Sequence, residues 1–301
     1  MRDAAALELP GVPGEYYGRS TRRLNNGHCW IDVLAEGGPR IVGFGLTGHP
    51  NVLSETPDAC WDSGYGTFEL LGGHRLWFAP ETPACSVPDA TGLILAPIPG
   101  ADGQAVRLVG APEAPTGLRK TMEVRIDPES ASVSIRHELS NTGSRTLEVS
   151  PWAITGLRPG GIAVAPLPGA VDEHKLQPSQ LLVLWPYARW SDDRLAIREG
   201  LLTVSASPAP RFKIGCLSAS GAVGYLRDGL LFTLRFDPAF GSAHADRGVN
   251  LEIFADELTL ELESLGPLVR LAPGDAATHD ERWELREVGH GLDAAAAAAL
   301  L

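Results

Sequence analysis

Apolar and polar residues alternate with a period of two through the middle of the chain. In residues 118–126 the even-numbered positions are apolar apart from Lys120, and the odd-numbered positions are polar. In residues 132–139 the odd-numbered positions are apolar apart from His137. The segment between them, Asp-Pro-Glu-Ser at 127–130, is typical of a turn. This pattern predicts a long antiparallel hairpin with one buried face and one exposed face.

Similar patterns predict strands along most of the remaining sequence. Short turns rich in glycine and proline separate them, and no linker or internal repeat divides residues 28–288. We therefore predict an all-β fold, a large antiparallel sandwich formed by a single domain over residues 28–288. Residues 1–27 are predicted to be an N-terminal extension that packs on this domain, and residues 289–301 a C-terminal tail. The other predicted strands are 29–34, 40–46, 147–151, 181–184, 201–205, 212–217, 223–226, 230–236, 250–254, 258–265 and 282–288.

Composition and charge narrow the class of protein. The 301 residues include 34 Gly and 24 Pro, which excludes long helical bundles. The net charge is −12 without a basic stripe, so we expect no nucleic-acid partner. No run of 18 apolar residues occurs, so we expect no membrane partner. Four scattered cysteines and the lack of an apolar leader predict a reduced, cytoplasmic protein. We expect a monomer or a homodimer.

Cofactor and metal motifs are missing or misplaced. Gly43–Gly48 matches GxGxxG, but Pro50 stands where a helix would have to begin, which contradicts a dinucleotide site. The eight histidines include no HExxH motif and no pair four residues apart, so no metal site is predicted. The segment His279–Glu281 is interpreted as a solvated polar turn. We expect the protein to use no cofactor.

The densest group of candidate functional residues is GGHRLWFAPE at residues 72–81. Two glycines allow close approach of the backbone, and Arg75, Trp77 and Glu81 follow them. This combination is suited to a sugar, because the apolar face of a sugar stacks on an indole while its hydroxyls hydrogen-bond to charged groups. The alternative is a core tryptophan beside an Arg–Glu surface pair.

A second candidate is a pair of carboxylates near the C-terminal end. If this segment is a strand, Leu260 and Leu262 face the core while Glu261 and Glu263 share the opposite face. Such carboxylates are usually solvated, but in a cleft one of them could act as a general base. His137 is a third candidate, and its alternative is a histidine whose hydrogen bonds are satisfied within the core.

The order of several motifs resembles the galactose mutarotase-like superfamily, and more closely its aldose-1-epimerase-like proteins. The resemblance spans roughly residues 25–288. The motifs are GPRI (38–41), GGHRLWFAPE (72–81), NTG (141–143), SPW (150–152), ELESLGPL (261–268), LAPG (271–274) and ERW (281–283).

This resemblance implies a large antiparallel β-supersandwich whose concave sheet binds a monosaccharide. In mutarotases of the superfamily, a glutamate deprotonates the anomeric hydroxyl and a histidine protonates the ring oxygen. The resemblance places Glu263 at the position of this base. Trp152 stands where the family carries its histidine, so the first choice for the acid is His74. The expected sugar contacts are Arg75, Trp77, Glu81, His137 and Trp152.

The leading hypothesis is a carbohydrate-binding, aldose-1-epimerase-like protein that interconverts sugar anomers by general acid–base ring opening. The first alternative is a non-catalytic sugar-binding module or sensor, which the missing family histidine favours. The second is a sugar-acting hydrolase or lyase that uses two carboxylates, such as Glu81 and Glu263. All three hypotheses have a small sugar as the partner.

Overall fold

The computed structural model describes residues 9–101, 104–168, 173–174, 176–198 and 200–301. Within these ranges short turns join many β-strands, which confirms the all-β prediction. No helix among the described residues is long and apolar enough to cross a membrane. Two 3₁₀ helices cover Pro83–Ser86 and Asp246–Gly248, and one α-helix, α1, covers Ala294–Ala298.

The strands are numbered in chain order. The first twelve are β1 (Val12–Tyr16), β2 (Arg19–Asn25), β3 (Cys29–Leu34), β4 (Arg40–Leu46), β5 (Glu55–Asp62), β6 (Thr67–Gly72), β7 (His74–Ala79), β8 (Ile94–Pro97), β9 (Ala105–Val109), β10 (Leu118–Ile126), β11 (Ser132–Asn141) and β12 (Leu147–Leu157). The others are β13 (Ile162–Pro166), β14 (Leu182–Leu184), β15 (Leu195–Arg198), β16 (Leu201–Ser205), β17 (Phe212–Cys216), β18 (Ala222–Arg227), β19 (Leu230–Phe236), β20 (Leu251–Ala255), β21 (Leu260–Leu265), β22 (Val269–Leu271) and β23 (Ala276–Glu287).

In the described part of the chain these strands form two large sheets and a separate hairpin. The larger sheet has eleven strands in the order β1-β2-β3-β4-β7-β12-β21-β20-β17-β14, with β22 paired to β12. The smaller sheet has ten strands in the order β15-β16-β13-β18-β19-β23-β11-β10-β9-β8. Strands β5 and β6 pair only with each other. The recorded pairings are all antiparallel.

The two large sheets pack face to face around an apolar core. Phe44 and Leu262 of the larger sheet and Ile135 and Trp283 of the smaller sheet belong to this core. The rings of Phe44 and Trp283 meet across the sandwich with their centroids 5.7 Å apart. Because side chains alternate along a strand, the larger sheet also has an outer face that points away from the smaller sheet.

The polar N-terminal segment contains two strands that the hydrophobic pattern did not indicate. Strands β1 and β2 pair with each other, and β2 pairs with β3, so the segment extends the larger sheet. Four of the five residues of β1 are exposed. An edge strand of this kind has no buried face and therefore no apolar period for sequence reasoning to detect.

The segment His279–Glu281 is not the solvated turn that its polar sequence suggested. It lies inside β23, a central strand paired with β11 and β19. Asp280 is exposed, whereas His279 and Glu281 point into the sandwich and are buried. The prediction of a turn was wrong because a run of polar residues is typical of a turn, whereas alternate residues of this run face the interior.

The β5–β6 hairpin lies against the outer face of the larger sheet. The guanidinium of Arg40, in β4, donates a hydrogen bond of 3.0 Å to the Leu70 carbonyl oxygen. It also lies 5.1 Å from the centroid of the Phe68 ring. Phe68 in turn packs edge-on against Trp77 of β7, with centroids 5.6 Å apart.

The chain passes from the hairpin into the larger sheet through two glycines. Gly72 and Gly73 have φ values of 77° and 63°, in the left-handed region that favours glycine. A Cβ atom on Gly73 would lie 2.1 Å from the Ile41 carbonyl oxygen. The two glycines therefore allow a close backbone crossing, and β7 begins directly after it.

Candidate functional site

Strands β7, β12 and β21 align three candidate positions on one face. Ile154 of β12 lies directly opposite Arg75 of β7 on one side and opposite Glu263 of β21 on the other. Glu263 is also opposite Glu252 of β20. Because directly paired residues point to the same side of a sheet, Arg75, Glu252 and Glu263 share the outer face of the larger sheet.

A buried lysine connects two of these carboxyl groups. The Nζ atom of Lys213, in β17, lies 2.6 Å from Oε2 of Glu252 and 2.8 Å from Oε2 of Glu263. The Nε1 atom of Trp152 donates a further hydrogen bond of 2.8 Å to Oε2 of Glu263. All four side chains are buried. We call Trp152, Lys213, Glu252 and Glu263 the lysine cluster.

The lysine cluster has an unusual protonation balance. Burial raises the pKa of Glu263 and raises that of Glu252 further, and Lys213 opposes both shifts. Burial also acts against the charge of Lys213, but the two carboxylates outweigh it and raise the lysine pKa. Two adjacent carboxyls beside one ammonium are most stable with one shared proton. The cluster then carries one positive and one negative charge.

Arg75 is held by a carboxylate other than the one that sequence reasoning considered. Its guanidinium donates two hydrogen bonds to Glu261, of 2.9 and 3.3 Å, and both side chains are buried. It also lies 4.6 Å from the centroid of the Trp77 ring. Glu81 is exposed, so Arg75 and Glu81 do not form the surface pair that was the alternative interpretation.

A row of aromatic rings runs along this side of the molecule. Ring centroids are separated by 4.8 Å from Trp61 to Phe68, 5.6 Å from Phe68 to Trp77 and 5.5 Å from Trp77 to Trp152. The Nζ atom of Lys213 lies 4.5 Å from the Trp152 ring centroid. Trp77 and Trp152 are buried, so they form the floor of this region and present no ring to solvent.

The cluster approaches the surface at Tyr187. Burial raises the pKa of the Tyr187 hydroxyl, which also interacts electrostatically with Lys213, Glu263 and Glu81. The residue is nevertheless 46% exposed. Trp185, two residues earlier, lies with its ring centroid 4.6 Å from the Lys213 Nζ atom. Trp185, which is partly exposed, and Tyr187 therefore offer aromatic rings on the solvent side of the lysine cluster.

Sequence reasoning missed Lys213, Glu252 and Tyr187. One signal was available, since Lys213 interrupts the apolar run Phe-Lys-Ile-Gly-Cys of a predicted strand. A lysine at such a position needs a buried partner. Glu252 likewise stands in the strand Leu-Glu-Ile-Phe-Ala. Tyr187 lies in a loop, where the sequence carries no comparable periodicity.

The structure does not bring His74 to Glu263. His74 precedes Arg75 in β7 and points to the opposite side, into the sandwich, where its Nε2 atom lies 2.7 Å from Nε2 of His137. His137 therefore belongs to the same interior group and does not contact the outer face. The predicted pairing of Glu263 as base with His74 as acid has no geometric basis, because the sheet separates them.

Both histidines belong to a buried polar group between the sheets, which we call the inter-sheet cluster. His137 Nδ1 donates to the His279 carbonyl oxygen at 2.9 Å, because a carbonyl can only accept. Ser264 donates to Glu281 at 2.5 Å and accepts from His279 Nε2 at 2.6 Å. The members of the cluster are His74, His137, Thr155, Ser264, His279, Glu281 and Trp283.

Burial dominates the electrostatics of the inter-sheet cluster. It lowers the pKa of His137 to about 4 and that of His279 to about 3. It also lowers the pKa of His74 well below its usual value, with His137 adding to the effect. The pKa of Glu281 is raised to about 7 by burial. The histidines are thus neutral at neutral pH. Potential metal-ligating atoms of His74, His137 and Glu281 all lie within 4.8 Å of one another.

A cavity of about 620 Å³ lies elsewhere, on the outer face of the smaller sheet. Its lining includes four acidic residues and the arginines Arg125, Arg136, Arg235 and Arg282. Arg136, for example, pairs with Asp280 at 3.4 Å, and both side chains are more than half exposed. Exposed pairs of this kind are typical of a solvated sheet face, so this cavity is not the candidate site.

Comparison with known proteins identifies the fold. The sequence matches no family model and no curated protein. A galactose mutarotase-like protein from Lactobacillus casei is 11% identical and has a TM-score of 0.56, covering 88% of this chain and all of that one. A candidate mutarotase from Salmonella typhimurium, YeaD, is 10% identical with a TM-score of 0.58, covering 93% of this chain and 97% of that one. The chain has the galactose mutarotase-like fold.

The galactose mutarotase-like fold also occurs within longer proteins. A TPR-domain-containing protein from Parabacteroides distasonis matches 92% of this chain with a TM-score of 0.60 and 12% identity. The match covers 48% of that protein, so this chain spans about half of its length. Identities this low show the shared fold, and the chemistry of the site has to be argued from the residues of this chain.

Proposed function

We propose that the protein binds a carbohydrate on the outer face of the larger sheet, at the Tyr187 side of the lysine cluster. The observation that carries the proposal is the Trp185–Tyr187 loop: the Trp185 ring centroid lies 4.6 Å from the Lys213 Nζ atom, and half-exposed Tyr187 interacts electrostatically with Lys213, Glu263 and Glu81. A sugar needs a flat apolar surface and charged hydrogen-bonding groups at its edge; Tyr187 offers the surface and exposed Glu81 the charged group.

The fold neighbours support the same class of ligand. The L. casei protein is named galactose mutarotase-like, and a further match with a TM-score of 0.53 is the galactosidase domain of an α-galactosidase–sucrose kinase. Buried Trp77 and Trp152 would support the binding surface from below. Arg75 would hold Glu261 and Trp77 in place and would not touch the sugar.

Binding without anomer interconversion fits the geometry better than catalysis. Glu263, the base implied by the resemblance, is enclosed by Trp152 and Lys213 and is 1% exposed. His74 lies on the other side of the sheet, next to His137. We therefore propose a non-catalytic sugar-binding protein. The sugar would contact Tyr187 and Glu81, on the solvent side of the lysine cluster.

A second candidate function is mutarotation by Glu252 and Glu263. The observation that favours it is the pair of carboxyls that contact the same Lys213 ammonium and have raised pKa values, so that one would hold a proton while the other is ionised. Such a pair contains both an acid and a base. Both carboxyls are buried, so this function also requires the site to open to the sugar. The hydrolase hypothesis based on Glu81 and Glu263 gains no comparable support, because one of these carboxylates is exposed and the other is enclosed.

Calorimetric titration with a panel of neutral aldoses tests the proposal. We expect saturable binding of at least one aldose, and a loss of affinity of about tenfold or more in Tyr187→Ala, since one stacking contact contributes roughly 1–3 kcal/mol by analogy with base–aromatic stacking. Tyr17→Ala is the matched control, because Tyr17 is an exposed tyrosine at the β1–β2 turn. Binding that is absent, or equally affected by both substitutions, contradicts the proposal.

NMR exchange spectroscopy separates binding from catalysis. The primary proposal predicts that the wild-type protein does not accelerate exchange between the α and β anomers of a sugar that it binds. Acceleration by the wild type that is lost in both Glu252→Gln and Glu263→Gln would instead establish the second candidate function.

A further inference from the structure

We propose that His74, His137 and Glu281 bind one zinc ion between the two sheets. The ligand atoms would be Nε2 of each histidine and a carboxylate oxygen of Glu281. The three residues come from β7, β11 and β23, so the ion would link the larger sheet to the smaller one. This proposal does not depend on the proposed sugar binding, which concerns the opposite face of the larger sheet.

The distances between the ligand atoms are close to those of a zinc site. The three potential ligand atoms already lie within 4.8 Å of one another, and the two Nε2 atoms are 2.7 Å apart. With zinc–nitrogen bonds of about 2.0–2.1 Å and a tetrahedral angle, two such nitrogens lie about 3.3 Å apart. The imidazoles would have to separate by only about 0.6 Å, which side-chain torsions can supply.

The donor set agrees with the ion. Two imidazoles and one carboxylate form one of the common three-residue zinc sets, with a fourth position left for a second carboxylate oxygen or a water molecule. Imidazole is a ligand for zinc and its transition-metal neighbours and does not suit magnesium or calcium, which prefer oxygen ligands.

Neighbouring residues orient the ligands as they do in known metal sites. His137 Nδ1 donates to the His279 carbonyl oxygen, which leaves its Nε2 atom unprotonated and directed at the site. His74 Nδ1 faces Thr155 Oγ1 at 2.9 Å. Ser264 and Trp283 each donate to a different oxygen of Glu281, which orients the carboxylate. Metal-binding histidines and carboxylates commonly have such partners.

The metal-free arrangement also indicates what the ion would replace. Because His137 Nε2 accepts, the proton between the two rings must lie on His74 Nε2, and Thr155 then donates to His74 Nδ1. Zinc would occupy the place of this proton. His74 would change to the Nδ1-protonated tautomer and donate to Thr155, so the ring stays neutral in both states.

Within the part of the chain that the structure describes, the carboxyl group of Glu281 is buried without a cationic partner. The carboxyl is 3% exposed, and none of the ion pairs recorded among the described residues includes it. A buried carboxylate without a cation is costly. A divalent ion held by two neutral imidazoles would supply the missing positive charge at the cluster where the two sheets meet.

Burial determines how the experiment must be done. His74 and His137 are 0% exposed, so zinc would enter while the chain folds and not by diffusion into the folded protein. The full-length chain is unfolded in urea with a chelator and refolded with excess zinc or with the chelator alone. Cys60 is an exposed free thiol that could bind zinc adventitiously, so every variant carries Cys60→Ser and is kept reduced.

Elemental analysis after desalting gives the first readout. We expect about one zinc per chain in the wild-type background and less than about 0.1 per chain in His137→Gln and Glu281→Gln, since loss of a ligand exceeds the roughly 10–100-fold effect of losing an orienting partner. His49→Gln is the matched control, because His49 pairs with Glu287 at the surface. Less than about half an equivalent of zinc in the background, or equal zinc in His137→Gln and His49→Gln, overturns the proposal.

Histidine NMR gives a readout that needs no substituted ligand. In the zinc-refolded protein, ¹⁵N spectra should show metal-bound Nε2 on His74 and His137 and a proton on His74 Nδ1. In the chelator-refolded protein, His74 should carry its proton on Nε2. A His74 that keeps the Nε2 proton in excess zinc overturns the proposal even if a ligand variant fails to fold.

Discussion

The indole of Trp152 donates a hydrogen bond of 2.8 Å to Oε2 of Glu263, across adjacent strands of the larger sheet. The resemblance to mutarotases implied a catalytic histidine near the position of this tryptophan. The structure instead shows a donor that fixes the carboxylate and cannot itself give up a proton at ordinary pH. Trp152 therefore acts on the position of Glu263, and this can be measured.

Trp152→Phe should lower the free energy of unfolding by about 1–3 kcal/mol, because a buried carboxylate oxygen loses a hydrogen bond. The readout is urea unfolding followed by circular dichroism, since tryptophan fluorescence changes with the substitution itself. Trp190→Phe is the control: Trp190 is 58% exposed and its replacement should change stability by no more than about 0.5 kcal/mol. Equal unfolding midpoints for the two variants would show that the bond contributes little.

Lys213→Met should destabilise the protein by about 3–5 kcal/mol, because it leaves two buried carboxyls without their cation. Adding Glu252→Gln to this variant should restore part of the loss, since the remaining cluster then has fewer groups to ionise. Arg136→Met provides the comparison with an exposed ion pair and should cost about 0–1 kcal/mol. A double variant no more stable than Lys213→Met alone would argue against the shared-proton description. Equilibrium unfolding at pH 7 measures all three.

The pH dependence of stability should reveal the raised pKa of Glu252. Above the usual glutamate pKa the unfolded chain has lost this proton while the folded protein keeps it, so the contribution of Glu252 to stability falls as pH rises through this window. It is fully present below the unfolded pKa. A glutamine at this position cannot ionise, so Glu252→Gln does not lose stability in this way. Relative to the wild type, its free energy of unfolding should rise by up to about 1.4 kcal/mol per pH unit above pH 4.5.

Urea unfolding of wild type and Glu252→Gln at several pH values from 4.5 to 8 gives the comparison. The matched control is Glu257→Gln, at an exposed position before β21, whose free energy of unfolding should stay within about 0.5 kcal/mol of the wild-type value throughout this range. A constant difference between wild type and Glu252→Gln over the whole range would mean that Glu252 is ionised in the folded protein.

Gly73→Ala should abolish folding or cost several kcal/mol, because its Cβ atom would lie 2.1 Å from a backbone oxygen. Gly48→Ala is a close control, since Gly48 has φ of 83° and no atom within 4 Å of an added Cβ. In that control the added Cβ atom causes backbone strain but no clash, so the free energy of unfolding should fall by about 1–2 kcal/mol. The solubility and thermal midpoint of the two variants report the difference, and similar midpoints would show that the crossing can relax.

Much of the fold follows from local periodicity. The hairpin predicted at residues 118–139 is found as β10 and β11, and Glu261 and Glu263 share one face because strand geometry alone requires it. Two of the strands that escaped detection have no alternation to detect: β1 is exposed at four of its five positions, and β7 is buried at all six. At His279–Glu281 the residues do alternate between inside and outside, but the inward ones are polar.

The sites were less predictable because they depend on pairings between distant strands. Lys213 meets Glu263 only because β17, β20 and β21 are neighbours, an order that no local pattern specifies. The same holds for His74 and His137, which approach each other across two sheets. Sequence reasoning could identify Arg75 and His74 as unusual residues, but it assigned both to one site when adjacent positions of a strand must point apart.

That alternation gives β7 a particular sensitivity to insertions and deletions. A shift of one residue in the pairing of β7 with β12 would exchange its two faces, sending the guanidinium of Arg75 into the apolar interior and an imidazole to the outside. Many substitutions in this segment would alter one cluster and leave the other intact, whereas a change in its length would damage both at once. Homologues of this protein should therefore differ in the identity of residues 74–79 more readily than in the length of this segment.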